Sequence, residues 1–171
     1  MRWGKVAGRL LFALVVITFA GGLAAATLAH HQGYRAYAVR TASMTPGLPP
    51  GDLIIDAPPT GPYVPGDVIT FEVTTAPGID PVVTHRVLGV AGDKITTKGD
   101  ANATPDSGAK TERDVVGEVI HQIPNGGYVL VFLQQPGGVL GVLTSIVALM
   151  LSWSLFFGKP AEPRVGTPSE A

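Results

Sequence analysis

Three short segments of this chain carry side chains from which covalent chemistry could be built. The first is Thr41-Ala42-Ser43-Met44-Thr45-Pro46-Gly47, where a serine follows the apolar-polar stretch Tyr37-Ala38-Val39-Arg40. A serine hydroxyl is a weak nucleophile until a neighbouring base takes its proton. The second is His85, set in the β-branched run 82–88, and imidazole is the side chain best suited to moving a proton near neutral pH. The third is Lys98-Gly99-Asp100-Ala101-Asn102-Ala103-Thr104-Pro105-Asp106, a turn-rich segment with two carboxylates. Each has a plain alternative on its own: a serine that caps a turn, a histidine satisfied in a core, a loop shaped by its acids. The acidic segment fails the D-x-[DN]-x-[DN]-G calcium pattern. With no cysteine, the chain has no disulfide, no thiolate metal site and no thiol nucleophile. No cofactor and no metal is expected.

What must hold these segments is written in the charge distribution. Charged residues make up 15% of the 171 residues, and mean hydropathy is +0.31, which is unusual for a small soluble domain. No Asp, Glu, Lys or Arg occurs over 10–34 or over 119–158. Residues 10–29 are mostly apolar and, at ~1.5 Å rise per residue, span a ~30 Å hydrocarbon layer. Residues 139–157 form a second such run, with Trp153 near its end as an interfacial anchor. Two transmembrane helices are expected. The first run also has the basic start and small-residue stretch of a cleaved signal peptide, but it is longer than the usual apolar core of one. Arg2, Lys5 and Arg9 flank the first run, and Lys159 and Arg164 follow the second, so both ends are expected in the cytoplasm. Residues 1–9 would be the cytoplasmic N-terminus and 159–171, rich in proline, a disordered cytoplasmic tail. A net charge of −1 offers no electrostatic basis for nucleic-acid binding.

Between the two runs, residues 34–134 suffice for one compact domain. Short β-branched runs at 53–55, 67–73, 82–88, 93–97, 115–120 and 128–133 are each bounded by Gly, Pro, Asn or Asp. No convincing helical period interrupts them, so the fold class is mostly β, barrel- or sandwich-like, and extracytoplasmic. Gly-Asp recurs at 51–52, 66–67, 92–93 and 99–100, which reads mainly as turn chemistry.

Taken together, the polar segments resemble the signal peptidase I family. Thr41-Ala42-Ser43-Met44-Thr45-Pro46, followed by Pro50-Gly51-Asp52-Leu53-Ile54, is similar to its serine box. Gly66-Asp67-Val68-Ile69-Thr70-Phe71 resembles its strand box, Thr84-His85-Arg86-Val87-Leu88-Gly89-Val90 its general-base box, and 97–106 its acidic box. Histidine in place of lysine at the base box marks the endoplasmic-reticulum and archaeal type, which also occurs in some Gram-positive bacteria. Thr41-Ala42 departs from the usual Ser-Gly.

The resemblance implies a membrane-bound serine endopeptidase that removes signal peptides from exported preproteins. Ser43 would attack, His85 would carry the proton, and the last aspartate of the acidic box, Asp106, would sit beside the imidazole. The Thr41 hydroxyl and the Ser43 N–H would form the oxyanion hole. Asp100 is the other candidate for that place; with Asp106 there, Asp100 would shape its loop through hydrogen bonds to backbone N–H groups. Implied partners are signal peptides with small residues at the first and third positions before the cut, the lipid bilayer, and accessory membrane subunits. The rival reading is a catalytically silent, membrane-anchored β-module that binds or scaffolds exported proteins.

Overall fold

The computed structural model describes residues 2–73 and 82–157. The expected tail over 159–171 lies outside them. A long helix, α1 (Arg2–His31), leads into strands β1 (Arg35–Ala38), β2 (Leu53–Ala57), β3 (Val68–Glu72), β4 (Val82–Ala91), β5 (Lys94–Lys98) and β6 (Val115–Ile123). Helices α2 (Gly126–Gln134) and α3 (Pro136–Phe157) are the last described elements. All strand pairs are antiparallel, in one sheet of order β1-β2-β6-β3-β4-β5. The fold is therefore mostly β, with β1 and β5 at the ends of a single sheet and no pairing between them among the described residues.

The strands lie where β-branched residues alternate with turn chemistry. Ile69, Phe71, Val87, Ile95 and Val115 bury their side chains in one core cluster, and Met44, Leu48 and Ile54 in a second. The second cluster packs beneath the serine segment and fixes it to the sheet. Three of the four Gly-Asp pairs are turns with a left-handed glycine, at Gly51, Gly66 and Gly92 (φ +96°, +109° and +63°). Only glycine adopts that conformation without strain. Gly99 is not left-handed and has another role, described below.

One expected strand is a helix. Residues 128–133 fall in α2, although Tyr-Val-Leu-Val-Phe-Leu has strong strand character. Tertiary contacts override it. The Asp52 carboxylate accepts the Asn125 N–H (2.9 Å) and a Gln122 side-chain N–H (2.5 Å), and the Gly127 N–H reaches the Gly51 carbonyl (2.9 Å). These bonds start a helix where β6 ends. A short strand the sequence left unassigned, β1, pairs with β2 instead.

Helices α1 and α3 each contain a stretch long and apolar enough to cross a membrane, Phe12–His31 and Pro136–Trp153. Their large apolar side chains lie open, Ile17 at 68% and Leu149 at 70% exposure. The start of α1 meets the end of α3, because any side chain at Gly8 would overlap the Trp153 ring.

The sheet also buries a carboxyl group. Asp56, on β2 beside a β-bulge, is fully inaccessible, and neither of its oxygens has a hydrogen-bond partner among the described residues. Gly117 makes room for it, since a Cβ there would stand 2.8 Å from that of Asp56. The Thr70 hydroxyl is engaged with Thr84 across the strands (2.8 Å). Desolvation pushes the Asp56 pKa up from 3.8 to about 6, opposed in part by Thr70. The folded protein thus holds this proton more tightly than the unfolded chain, so the group's full stability exists below the unfolded value and is lost as pH rises through about 6. The loss is of the order of 3 kcal/mol. Asp56→Asn should match wild-type stability at pH 4 and exceed it at pH 8, by a gap of ~1–3 kcal/mol. Thermal unfolding across that range checks this; parallel pH profiles would refute it.

Candidate active site

The serine segment leaves β1 as a clipped turn. The Val39 N–H bonds the Asp52 carbonyl (2.8 Å) and the Gly51 N–H bonds the Val39 carbonyl (2.9 Å). A short 3-10 turn, Ala42–Met44, follows, with Met44 anchored in the core at 2% exposure. That anchor turns the neighbouring Ser43 toward β4. Its Oγ lies 3.2 Å from His85 Nε2 and 3.3 Å from the Thr41 hydroxyl.

His85 sits in the part of β4 paired with β3, opposite Ile69, and is only 6% exposed. The Phe71 ring meets it edge-on at 6.2 Å. Its Nδ1 stands 2.6 Å from Asp106 Oδ2. The same oxygen accepts the Thr97 hydroxyl proton (2.7 Å), and the Asp106 N–H bonds the Thr97 carbonyl (2.9 Å). With Nδ1–H donated to the carboxylate, Nε2 is left to accept the Ser43 proton. Ser43, His85 and Asp106, expected together, are brought together in that order.

The other expected carboxylate behaves differently from the expectation. Among the described residues no backbone N–H binds the Asp100 carboxylate; it pairs with the Arg86 guanidinium through two bonds, of 2.9 and 2.8 Å. Arg86 follows His85 on the strand, so it faces the opposite side and supplies a fixed cation there. The pairing holds the Asp100 carboxyl below its ordinary range and raises the guanidinium. Arg86 also donates to the Gly66 carbonyl (2.8 Å), and Gly47 lies close enough that a Cβ would meet Asp100 Oδ2 at 3.0 Å. One ion pair therefore joins β4, the acidic loop, the turn before β3 and the serine segment. Arg86 could have been suspected from sequence as the single charge within an apolar run.

Gly99 is the second residue whose role was hidden. The Ala101 N–H bonds the Ser43 carbonyl (2.8 Å), which pulls the acidic loop flat against the serine. A Cβ on Gly99 would stand 2.6 Å from the Ser43 carbonyl oxygen and 2.9 Å from His85 Nε2. His30 and His121 lie apart from this cluster: His30 meets Arg35 (2.9 Å), and His121 is exposed on β6. Among the described residues no three His, Asp or Glu side chains are grouped to hold a metal ion.

Residues 8–112, more than half of the chain, match the family described as signal peptidase, peptidase S26. The chain belongs to the signal peptidase S26 family. The signal peptidase complex catalytic subunit SEC11 of Tuber melanosporum (strain Mel28) is 28% identical over 134 residues, covering 66% of this chain and 70% of that protein. The S26 match ends before β6, so α2 and α3 lie beyond it. Family and apolar helices together point to a membrane-associated signal peptidase.

Because Gly99 has no room for a side chain, Gly99→Ala should separate Ser43 from His85 by several tenths of an ångström. Cleavage of a preprotein should fall by about a hundredfold or more, with circular dichroism unchanged. Near-normal cleavage in a folded Gly99→Ala protein would show that this close approach is dispensable.

Proposed function

We propose that the chain is a membrane-bound serine endopeptidase that removes signal peptides from exported preproteins. The observation that carries this is the continuous path from Ser43 Oγ to His85 Nε2 (3.2 Å) and from Nδ1 to Asp106 (2.6 Å). In the first step the Ser43 oxygen attacks the scissile carbonyl while His85 takes its proton. Asp106 stabilises the imidazolium that forms. The Ser43 N–H and the Thr41 hydroxyl stabilise the oxyanion, for which loss of one donor typically costs ~3–4 kcal/mol. His85 then gives its proton to the leaving amine, and a water, activated by the same imidazole, releases the acyl group.

A groove of about 720 Å³ runs past Ser43 and supports a peptide substrate. One wall is the edge of β1 that no strand covers among the described residues; another is the stretch of β4 that precedes its pairing with β5, which begins at Arg86. An extended peptide can add to such edges and present alternate side chains to pockets. Ala36 and Ala38 leave room on one side, while Leu130 and Val131 of α2 close another. This favours small side chains near the cut.

Ser43→Ala should abolish cleavage of a preprotein by the detergent-solubilised protein, and N-terminal sequencing should place the wild-type cut after a small residue. Asp106→Asn should lose ~10³–10⁴-fold in turnover with stability retained, while Asp100→Asn, which breaks the Arg86 pair, should chiefly lower stability. A silent binding module would give no shortened product at all.

The basic flanks, and the meeting of Gly8 with Trp153, support a topology with both ends in the cytoplasm and 34–134 outside. Protease added to intact cells should cut the middle and spare a C-terminal tag. A tag lost under those conditions reverses the orientation, and a mature N-terminus near residue 30 would show that the first segment is removed.

A further inference from the structure

We infer that Thr97 is a positioning residue for the proton-carrying pair, acting on His85 through Asp106; this rests on the Ser43–His85–Asp106 reading above. Thr97 lies on the inward face of β5 with Ile95, and both are 1% exposed. At such a site valine would fill the same volume, and a buried hydroxyl costs stability unless it is hydrogen-bonded. Its partner is Asp106 Oδ2, at 2.7 Å, the same oxygen that faces His85 Nδ1. The Thr97 carbonyl meanwhile accepts the Asp106 N–H at 2.9 Å. One residue thus grips Asp106 at main chain and side chain. The main-chain bond sets the distance of the carboxylate, and the hydroxyl sets its rotation.

The hydroxyl also divides the charge of Oδ2 between two donors. The carboxylate is only 17% exposed, and the burial of Thr97 leaves little access for water to replace that donor. Without the hydroxyl, the undivided charge binds the imidazolium more strongly, so His85 must release its proton at higher pH. The other charges near the pair stay as they are: Asp100 is held by Arg86, and Lys98 is bonded to the Asn102 carbonyl (2.9 Å).

The test compares Thr97→Val and Thr97→Ser with wild type in the full chain in detergent. Thr97→Val should lower kcat about tenfold, leave KM within about twofold, and move the acid limb of the pH profile upward by about half a unit. Thr97→Ser, which keeps the hydroxyl, should restore both. The His85 ring titration, followed by NMR with ¹³C-labelled histidine and assigned by His85→Ala, should move upward in Thr97→Val whether or not cleavage is detected. An unmoved titration in Thr97→Val overturns the assignment, as does a Thr97→Ser protein as impaired as Thr97→Val. Full cleavage by Ser43→Ala or Asp106→Asn would overturn the protease mechanism instead, and the titration would still decide the contact of Thr97 with the pair.

Discussion

The site depends on one main-chain hydrogen bond, from the Ala101 N–H to the Ser43 carbonyl at 2.8 Å. Ser43 arrives from the turn after β1, and Asp106 from a loop beyond β5, at the far end of the sheet order. Among the described residues nothing in the ladder of strands joins those two regions directly. The bond is possible only because residue 99 has no side chain, so the loop backbone can lie against the serine backbone with the imidazole beside both. A backbone contact is a good device here, since it fixes position without a rotamer that must be chosen and held.

The same economy governs the frame around it. Asp52 belongs to a Gly-Asp turn, yet its carboxylate accepts the Asn125 N–H where α2 begins, and its carbonyl holds Val39 just ahead of the serine segment. The start of the groove wall in α2 and the approach to Ser43 are therefore tied to one residue. Since α2 runs almost directly into the apolar α3, the position of the groove wall relative to α3 is coupled through Asp52 to the serine.

Much of this was legible in the sequence, and the residues show why. Five of the six expected strands occur, because β-branched alternation and glycine turns are local properties. The grouping of Ser43, His85 and Asp106 was legible in the order of the motifs. The run 128–133 was misread because its β-propensity is real and its helix is imposed from Asp52, distant in sequence. Gly99 looked like the other Gly-Asp turns because close approach leaves no trace in composition. Thr97 looked like an ordinary strand residue, since threonine and valine are interchangeable there until a buried carboxylate appears beside the hydroxyl.

The two aspartates of the acidic loop show how position alone separates roles. Both lie within reach of His85 electrostatically, and a histidine between two free carboxylates would be held protonated and useless as a base. The strand's alternation resolves this. His85 and Arg86, adjacent in sequence, point to opposite faces of β4. Arg86 therefore meets Asp100 on one side and takes up its charge in a two-bond fork, while His85 meets Asp106 on the other. Asp106 in turn shares its facing oxygen with Thr97, so even the remaining carboxylate acts on the imidazole with part of its charge. What results is an imidazole oriented by one carboxylate while the other is engaged elsewhere, the arrangement that the proposed proton transfer from Ser43 would require.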